Sequence, residues 1–301
     1  MLVVSDMYES QVKSANSKWY AIARKGKLTL AADNTTAKVD WVKGSEKNIT
    51  AEPELYYSGE AMDLSNPVLY DGQPLYPDDK TGMVYVIWRN EAIPFVSLNS
   101  GSGNTTEGMK VKWLTIKKNR VYVGGHGAEF RNGTGDQDST CIKTINRKGK
   151  VRSEDWTEMF SRIQWGAGYR APYSYLTHEA VQWSETLQIW LFLPRKASQT
   201  PYVKREDETK GSNILIRGNK DLSKFITAYI GGKNVKHPDR GFAAFDFIPG
   251  TEDRLIVAIK TKEVQDSDPE SYITVFGING IVLLEDQKLE GNFKFEKIYF
   301  V

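Results

Sequence analysis

The chain has 301 residues, of which 40% are hydrophobic and 12% aromatic, enough to bury a sizeable core. Its 40 basic and 38 acidic residues give a formal net charge of +2, a balance that disfavours a nucleic-acid-binding protein. The single cysteine, Cys141, excludes an intrachain disulfide framework, and we expect a buried or idle thiol rather than an intermolecular bridge. No composition shift marks a boundary, so residues 1–301 are expected to form one domain.

Shorter segments indicate the cellular route. No run approaches the roughly 18 apolar residues needed to span a bilayer. The opening stretch from Met1 to Asp6 lacks the basic start and cleavage site of a signal peptide, and we expect it to be the first strand of a trimmed, mature chain. Four N-glycosylation sequons in polar loops favour secretion, with chance occurrence in Asn- and Thr-rich loops as the alternative. Their acceptors are Asn34, Asn48, Asn104 and Asn132.

Alternating runs rich in Val, Ile, Tyr, Phe and Trp, punctuated by Gly, Asn, Asp or Pro, predict a chain built mainly of β-strands. In chain order the clearest are Leu2–Met7, Met83–Trp88, Arg120–Val123, Gln188–Leu193 and Arg254–Ile259. Helical periodicity is rare, and the best short candidate runs from Glu154 to Gly166.

Five segments share one plan, in which a small or charged residue precedes an apolar run, a polar turn and a second strand. They begin at Ser65, Lys112, Glu179, Ala243 and Glu296, roughly 45 to 70 residues apart, which is near the length of a propeller blade with insertions. The last segment ends the chain without a partner strand, and the amino-terminal strand could complete it. On these observations alone, a β-sandwich with coincidental spacing fits about as well as a propeller.

Several motifs decide between these folds by resemblance. They are HEAVQWS at His178–Ser184, LPRKAS at Leu193–Ser198, DETKG at Asp207–Gly211, GFAAFDFIP at Gly241–Pro249, DDKTG at Asp78–Gly82 and the pair Phe295–Glu296. Taken in chain order, over almost the whole chain from Asp6 to Val301, the motifs resemble the calcium-activated nucleotidase, or apyrase, family. The resemblance implies an all-β, five-bladed β-propeller and calcium-dependent hydrolysis of nucleoside di- and triphosphates.

The resemblance also implies a calcium ion in the central tunnel, approached by one residue from each blade. The matching positions are Ser65, Lys112, Glu179, Ala243 and Glu296, and the family has Glu and Ser where this chain has Lys112 and Ala243. Calcium takes six to eight oxygen ligands, so we expect calcium binding to be absent or weak. Lys112 is then expected to replace the ion by donating to Glu179 and Glu296. The alternative is that Lys112 points to solvent.

Other positions near the expected reactive centre also depart from the family pattern. Tyr8 replaces an acid, Glu60 stands where arginine is expected, and Asn66 replaces an acid. Phosphoryl hydrolysis needs cations on the phosphates and an oriented water. The surviving candidates are Asp6, Asp63, Asp78 and Asp79 as catalytic acids, and Lys80 and Arg195 as phosphate ligands. For Asp78–Gly82 an ordinary polar turn is an equal expectation, and Arg195 could belong to a solvated basic loop.

Two functions therefore stay open. The resemblance favours a secreted nucleotidase acting on extracellular nucleotides, whereas the replaced residues favour an inactive propeller that binds a ligand or partner through the old cleft. We take the nucleotidase as the main expectation, with a nucleotide or other small molecule as ligand. The three histidines lack metal-ligand spacing, and the chain has no P-loop.

Overall fold

The computed structural model describes residues 1–9, 19–51, 67–79, 81–89, 91–128, 137–291 and 293–300. Within them the strands form five antiparallel sheets. The first strands of the chain are β1 (Leu2–Glu9), β2 (Trp19–Leu30), β3 (Ala37–Trp41) and β4 (Lys47–Ala51). They belong to a sheet that the last strand completes, here called the closing blade.

The next three sheets are the first, second and third blades. The first blade contains β5 (Val68–Tyr70), β6 (Gln73–Pro77), β7 (Met83–Trp88) and β8 (Glu91–Ser97). The second contains β9 (Trp113–Lys117), β10 (Arg120–Gly124), β11 (Cys141–Ile145) and β12 (Val151–Asp155). The third contains β13 (Tyr175–Ser184), β14 (Ile189–Ser198), β15 (Ile214–Asn219) and β16 (Phe225–Tyr229).

The fourth blade and the final strand complete the chain. The fourth contains β17 (Arg240–Phe247), β18 (Leu255–Lys262), β19 (Glu270–Gly277) and β20 (Val282–Lys288), and β21 (Phe295–Tyr299) follows. β21 pairs with β1 through Leu2 opposite Tyr299 and Val3 opposite Ile298. The predicted pairing of the two chain ends in one blade is therefore confirmed.

The five sheets form a closed ring. The inner strands β5, β9, β13, β17 and β21 each contact the next, and β4 of the closing blade contacts β8 of the first. Buried apolar side chains form five clusters, each between two neighbouring blades. Because the core is divided among blade interfaces rather than held between two sheets, the fold is a five-bladed β-propeller and not a sandwich.

The interface between the second and third blades is the most aromatic. Trp190 packs edge-on against Trp156 and Trp183, with ring centroids 5.3 and 5.5 Å away. Gly124 is required here, since a Cβ at this position would come within 1.9 Å of the Trp113 ring. The indole of Trp113 in turn donates to the carbonyl of Gly125 over 2.9 Å.

Helices are short and peripheral. A 3-10 helix spans Gln137–Thr140, α1 spans Thr157–Gly166 and α2 spans Lys204–Asp207. The helix predicted from Glu154 exists but begins at Thr157, because β12 takes the preceding residues through Asp155. None of the helices in the described ranges is long and apolar enough to cross a membrane.

The hairpin turns and strand starts define two different ends of the ring. In an antiparallel meander successive turns alternate between ends, so the starts of all inner strands share one end, here called the mouth face. The hairpin turns β9–β10, β11–β12, β13–β14 and β15–β16 share the opposite end, here called the base face.

Candidate functional site

The tunnel positions are aimed inward by irregularities in the inner strands. In the third blade the β13–β14 register shifts on both sides of His178, next to Glu179. The β17–β18 register skips Ala243, and the β21–β1 register skips Glu296. A β-bulge leaves a residue out of the ladder and redirects its side chain. Three blades therefore turn a side chain toward the tunnel at equivalent places.

Arg195, on β14, connects the carboxylates that these bulges present. Its side chain is only 7% exposed. One guanidinium nitrogen, Nη1, donates to Glu179 and, over 3.0 Å, to Oε1 of Glu296, while Nη2 donates to Glu263. A guanidinium carries five donors in a planar fork, which suits it to several carboxylates at once.

Lys294 contacts two of these three carboxylates. Its ammonium lies 2.8 Å from Oε1 of Glu263 and 3.0 Å from Oε1 of Glu296. The third carboxylate has a histidine neighbour, since Nδ1 of His126 is 3.5 Å from Oε1 of Glu179. The carbonyl of His126 accepts from the amide of His178 over 2.9 Å, which ties this histidine to β13.

The turn that follows β6 brings a second ion pair into the tunnel. Asp79 accepts a charge-assisted hydrogen bond from Lys112, and their side chains are only 12% and 19% exposed. The preceding residue, Asp78, is fully buried and accepts from the Thr81 hydroxyl over 2.6 Å. Gly82 has φ +70°, and a Cβ there would lie 2.3 Å from the carbonyl of Leu98. Asp78 thus holds the turn together, while Asp79 faces the tunnel.

We call Asp79, Lys112, Glu179, Arg195, Glu263, Lys294 and Glu296 the tunnel cluster. Its four carboxylates and three cations leave one net negative charge. Burial alone would raise the pKa of Glu296, but Lys294 and Arg195 hold that pKa well below its ordinary value. Burial likewise opposes the charge on Lys112, yet Asp79 and then Glu179 raise the pKa of this lysine above its ordinary value. Glu296 and Lys112 are therefore both charged at neutral pH.

Comparison with known proteins shows the family of the chain. The family model described as Apyrase matches residues 6–301. The chain belongs to the apyrase family. Apyrase apy-1 of Caenorhabditis elegans is 38% identical over 94% of this chain and 79% of its own length. Soluble calcium-activated nucleotidase 1 of Rattus norvegicus is 34% identical over 99% of this chain and 73% of its own, and an apyrase of Cimex lectularius is 34% identical over 99% and 81%.

Among the described residues, the tunnel of this apyrase-family chain offers calcium few free oxygens. Calcium requires six to eight oxygens, several of them charged. Here Glu179 and Glu296 are engaged by Arg195, Ala243 offers no side-chain oxygen, and Lys112 adds a positive charge. Over the parts of the chain that are described, no three His, Cys, Asp or Glu side chains are grouped so that they could hold a metal ion.

The expected contacts of Lys112 need correction. The sequence predicted that Lys112 would donate to both Glu179 and Glu296, or else point to solvent. Instead Lys112 donates to Asp79, and the guanidinium of Arg195 bridges the two glutamates. The reason is geometric, since β14 lies next to β13 and places a wide, forked donor group directly beside Glu179.

The side chains of several predicted site residues are not described by the structure. Asp63, Ser65 and Lys80, together with the altered positions Glu60 and Asn66, lie outside the described residues. For Asp6 and Tyr8 only the backbone in β1 is described, and Asp6 lies where the β1–β2 register shifts. Their predicted roles, and the phosphate-binding role of Arg195, stay predictions.

Sequence reasoning missed Glu263, Lys294 and the neighbour His126. Glu263 follows β18 and Lys294 precedes β21, and neither residue belongs to one of the motifs that resemble the family. His126 is one of the three histidines, whose spacing gave no signal of a site. The motif histidine His178 is fully buried between Phe160 and Phe192, and burial lowers its pKa to about 3. It is therefore a neutral packing residue.

Proposed function

We propose that the chain is a secreted, apyrase-type nucleotidase that converts nucleoside di- and triphosphates to monophosphate and inorganic phosphate. The observation that supports this most is the 34–38% identity to apyrases and a calcium-activated nucleotidase over 94–99% of the chain. The mouth face adds a polar, charged centre of the kind that phosphoryl chemistry uses.

In the proposed reaction, water attacks the terminal phosphorus, a new P–O bond forms, and the P–O bond to the leaving phosphate oxygen breaks. A carboxylate orients the water and accepts its proton, which ends on the released phosphate or in solvent. We assign this task to Asp6 and Asp63, because Asp78 is committed to its turn and Asp79 to Lys112. Lys80 and Arg195 are the proposed phosphate ligands.

We further propose that calcium is not needed to hold the tunnel together. Two buried carboxylates without a cation would repel, and at least one pKa would rise. Arg195 lies between Glu179 and Glu296 and removes that repulsion with a covalently attached charge. Lys112 does the same for Asp79.

The ion pairs within the tunnel cluster favour a second function. In it the chain is a non-catalytic propeller that binds a ligand or partner. Each of the cluster's three cations already contacts at least one carboxylate. A bound phosphate would have to compete with Glu179, Glu263 and Glu296 for Arg195. Reduced or lost hydrolysis with retained ligand binding would follow from that competition.

Phosphate release separates the two functions. Purified protein is incubated with ATP, ADP or AMP in calcium, magnesium or EGTA, and inorganic phosphate is measured. Release from ATP and ADP but not AMP supports the nucleotidase. No release, together with ADP binding measured by calorimetry, supports the non-catalytic propeller and contradicts the nucleotidase.

Secretion is supported by the placement of the sequons. Asn34, Asn48 and Asn104 are all exposed, as glycan attachment requires, while Asn132 lies outside the described residues. Expression through a secretory pathway should give a mass that falls after N-glycan removal. A single unglycosylated species would argue against this route.

A further inference from the structure

The base face of the second and third blades carries a concentration of basic side chains. Six exposed cations, here called the base patch, come from the β9–β10, β11–β12 and β15–β16 turns. They are Lys118, Arg147, Lys148, Lys150, Lys220 and Lys224. Since the formal net charge of the whole chain is only +2, this charge is concentrated locally and is not a property of the overall composition.

Contacts across blade boundaries show that these turns form one surface. Lys117 reaches from the second blade to donate to the carbonyl of Lys220 in the third over 2.9 Å. The Tyr70 hydroxyl donates to the carbonyl of Asn119 over 2.8 Å, which fixes the β9–β10 turn against the first blade. Within the second blade, neighbouring strands lie about 4.8 Å apart, so its two turns are about 10 Å apart.

The positive charge of this surface is largely uncompensated. Over the described ranges, Arg147 is the one patch residue with a carboxylate partner within 4.0 Å, at 3.6 Å from Asp71. Asp221 accepts from Ser223 rather than from a patch lysine. Two further acids, Glu154 and Glu185, act on Lys117 only as nearby charges.

Lys117 reports the local crowding of positive charge. Its ammonium lies 4.2 and 4.5 Å from the ring centroids of Trp183 and Trp190. Burial, followed by the charges of Lys118 and Lys220, lowers the pKa of Lys117 to about 8. The three lysines are thus close enough to affect one another, and a bound anion would relieve their repulsion.

We propose that the base patch binds a linear sulfated polysaccharide. A cluster of exposed, unpaired lysines attracts repeated anionic groups, and basic clusters of this kind are typical of heparin-binding surfaces. The turns that carry the patch present no exposed large apolar side chain, and its one large apolar residue, Leu222, is buried. A membrane-inserting surface needs such apolar groups, and a single-strand nucleic-acid platform needs exposed aromatic rings. The patch faces away from the tunnel mouth, so this binding is independent of the proposed hydrolysis.

Heparin affinity with two charge-matched triple variants tests the proposal. The patch variant combines Lys118→Gln, Lys148→Gln and Lys150→Gln. The control variant combines Lys27→Gln, Lys43→Gln and Lys47→Gln, which are exposed lysines of the closing blade. Both remove three positive charges, so a difference between them measures location rather than net charge. Melting temperatures of both variants verify that they are folded.

The wild type should bind immobilised heparin at 0.15 M salt and elute at higher salt, with affinity falling steeply as ionic strength rises. The patch variant should bind at least about tenfold more weakly, and the control variant within about twofold of the wild type. Equal losses in both variants, or no wild-type binding, would overturn the proposal. Tighter, patch-dependent binding to phosphatidylserine vesicles or to single-stranded DNA would also overturn it, because the preferred partner would then be a membrane or a nucleic acid.

Discussion

Replacement of Arg195 by methionine should expose how the tunnel is stabilised. Met retains most of the buried side-chain volume but leaves Glu179 and Glu296 without their bridging guanidinium. Removing one partner of a buried ion pair costs about 3–5 kcal/mol. The contact with Glu263 adds little, because that side chain is 46% exposed and its charge is screened. In a protein of this size each kcal/mol lowers the melting temperature by about 2–3 °C, so a fall of about 6–15 °C is expected.

The matched control is Arg254→Met. Arg254 pairs with Glu252 at 3.5 Å, but both side chains are largely exposed, at 64% and 76%. Such a pair contributes about 0–1 kcal/mol, so the control should lose under about 3 °C. Differential scanning fluorimetry at pH 7.5 measures both variants, each with millimolar calcium and with EGTA.

Calcium should raise the melting temperature of the Arg195→Met variant, because the freed carboxylates can then take a cation that binds only the native state. It should leave the wild type unchanged. The reasoning is refuted if Arg195→Met loses no more stability than Arg254→Met, or if EGTA lowers the melting temperature of the wild type.

Three further outcomes follow from the same structure. Lys112→Glu combined with Ala243→Ser should restore oxygen ligands and produce a calcium-dependent rise in melting temperature, and its absence would count against the assigned tunnel positions. Asp6→Ala should abolish phosphate release, since the neighbouring family acid is already replaced at Tyr8; full activity in this variant would exclude the assigned role. Burial raises the pKa of Asp246 from 3.8 to about 7. Above pH 7 the folded state must hold this carboxyl in its charged form, so the contribution of Asp246 to stability is lowest there. The wild type should therefore lose stability relative to Asp246→Asn as the pH rises from about 4 to 7, and a pH-independent difference would show that Asp246 ionises normally.

The strands and their grouping into blades could be predicted because they depend on local sequence patterns. The run Met83–Trp88 became β7 with the predicted limits, since strand alternation and the flanking turn residues agree there. The pairing of β1 with β21 was also predictable, because the last segment lacked a following partner. The sequence predicts the start of α1 three residues too early, since Glu154 and Asp155 favour a helix start as much as a strand end.

The tunnel contacts could not be predicted in the same way. They depend on bulges at Glu179, Ala243 and Glu296, and nothing in the local sequence specifies which residue leaves the ladder. Arg195 was recognised as a phosphate-binding candidate, but its contacts with Glu263 and Glu296 span 68 and 101 residues. The sequence did predict that a covalently attached cation would face these carboxylates, although it assigned that position to Lys112.

A crystal structure of the protein grown in millimolar calcium tests the central claim most directly. We expect Arg195 between Glu179 and Glu296, Lys112 against Asp79, and no metal at the tunnel centre. An ion surrounded by six to eight oxygens at 2.3–2.6 Å, with Arg195 displaced from the two glutamates, would contradict it.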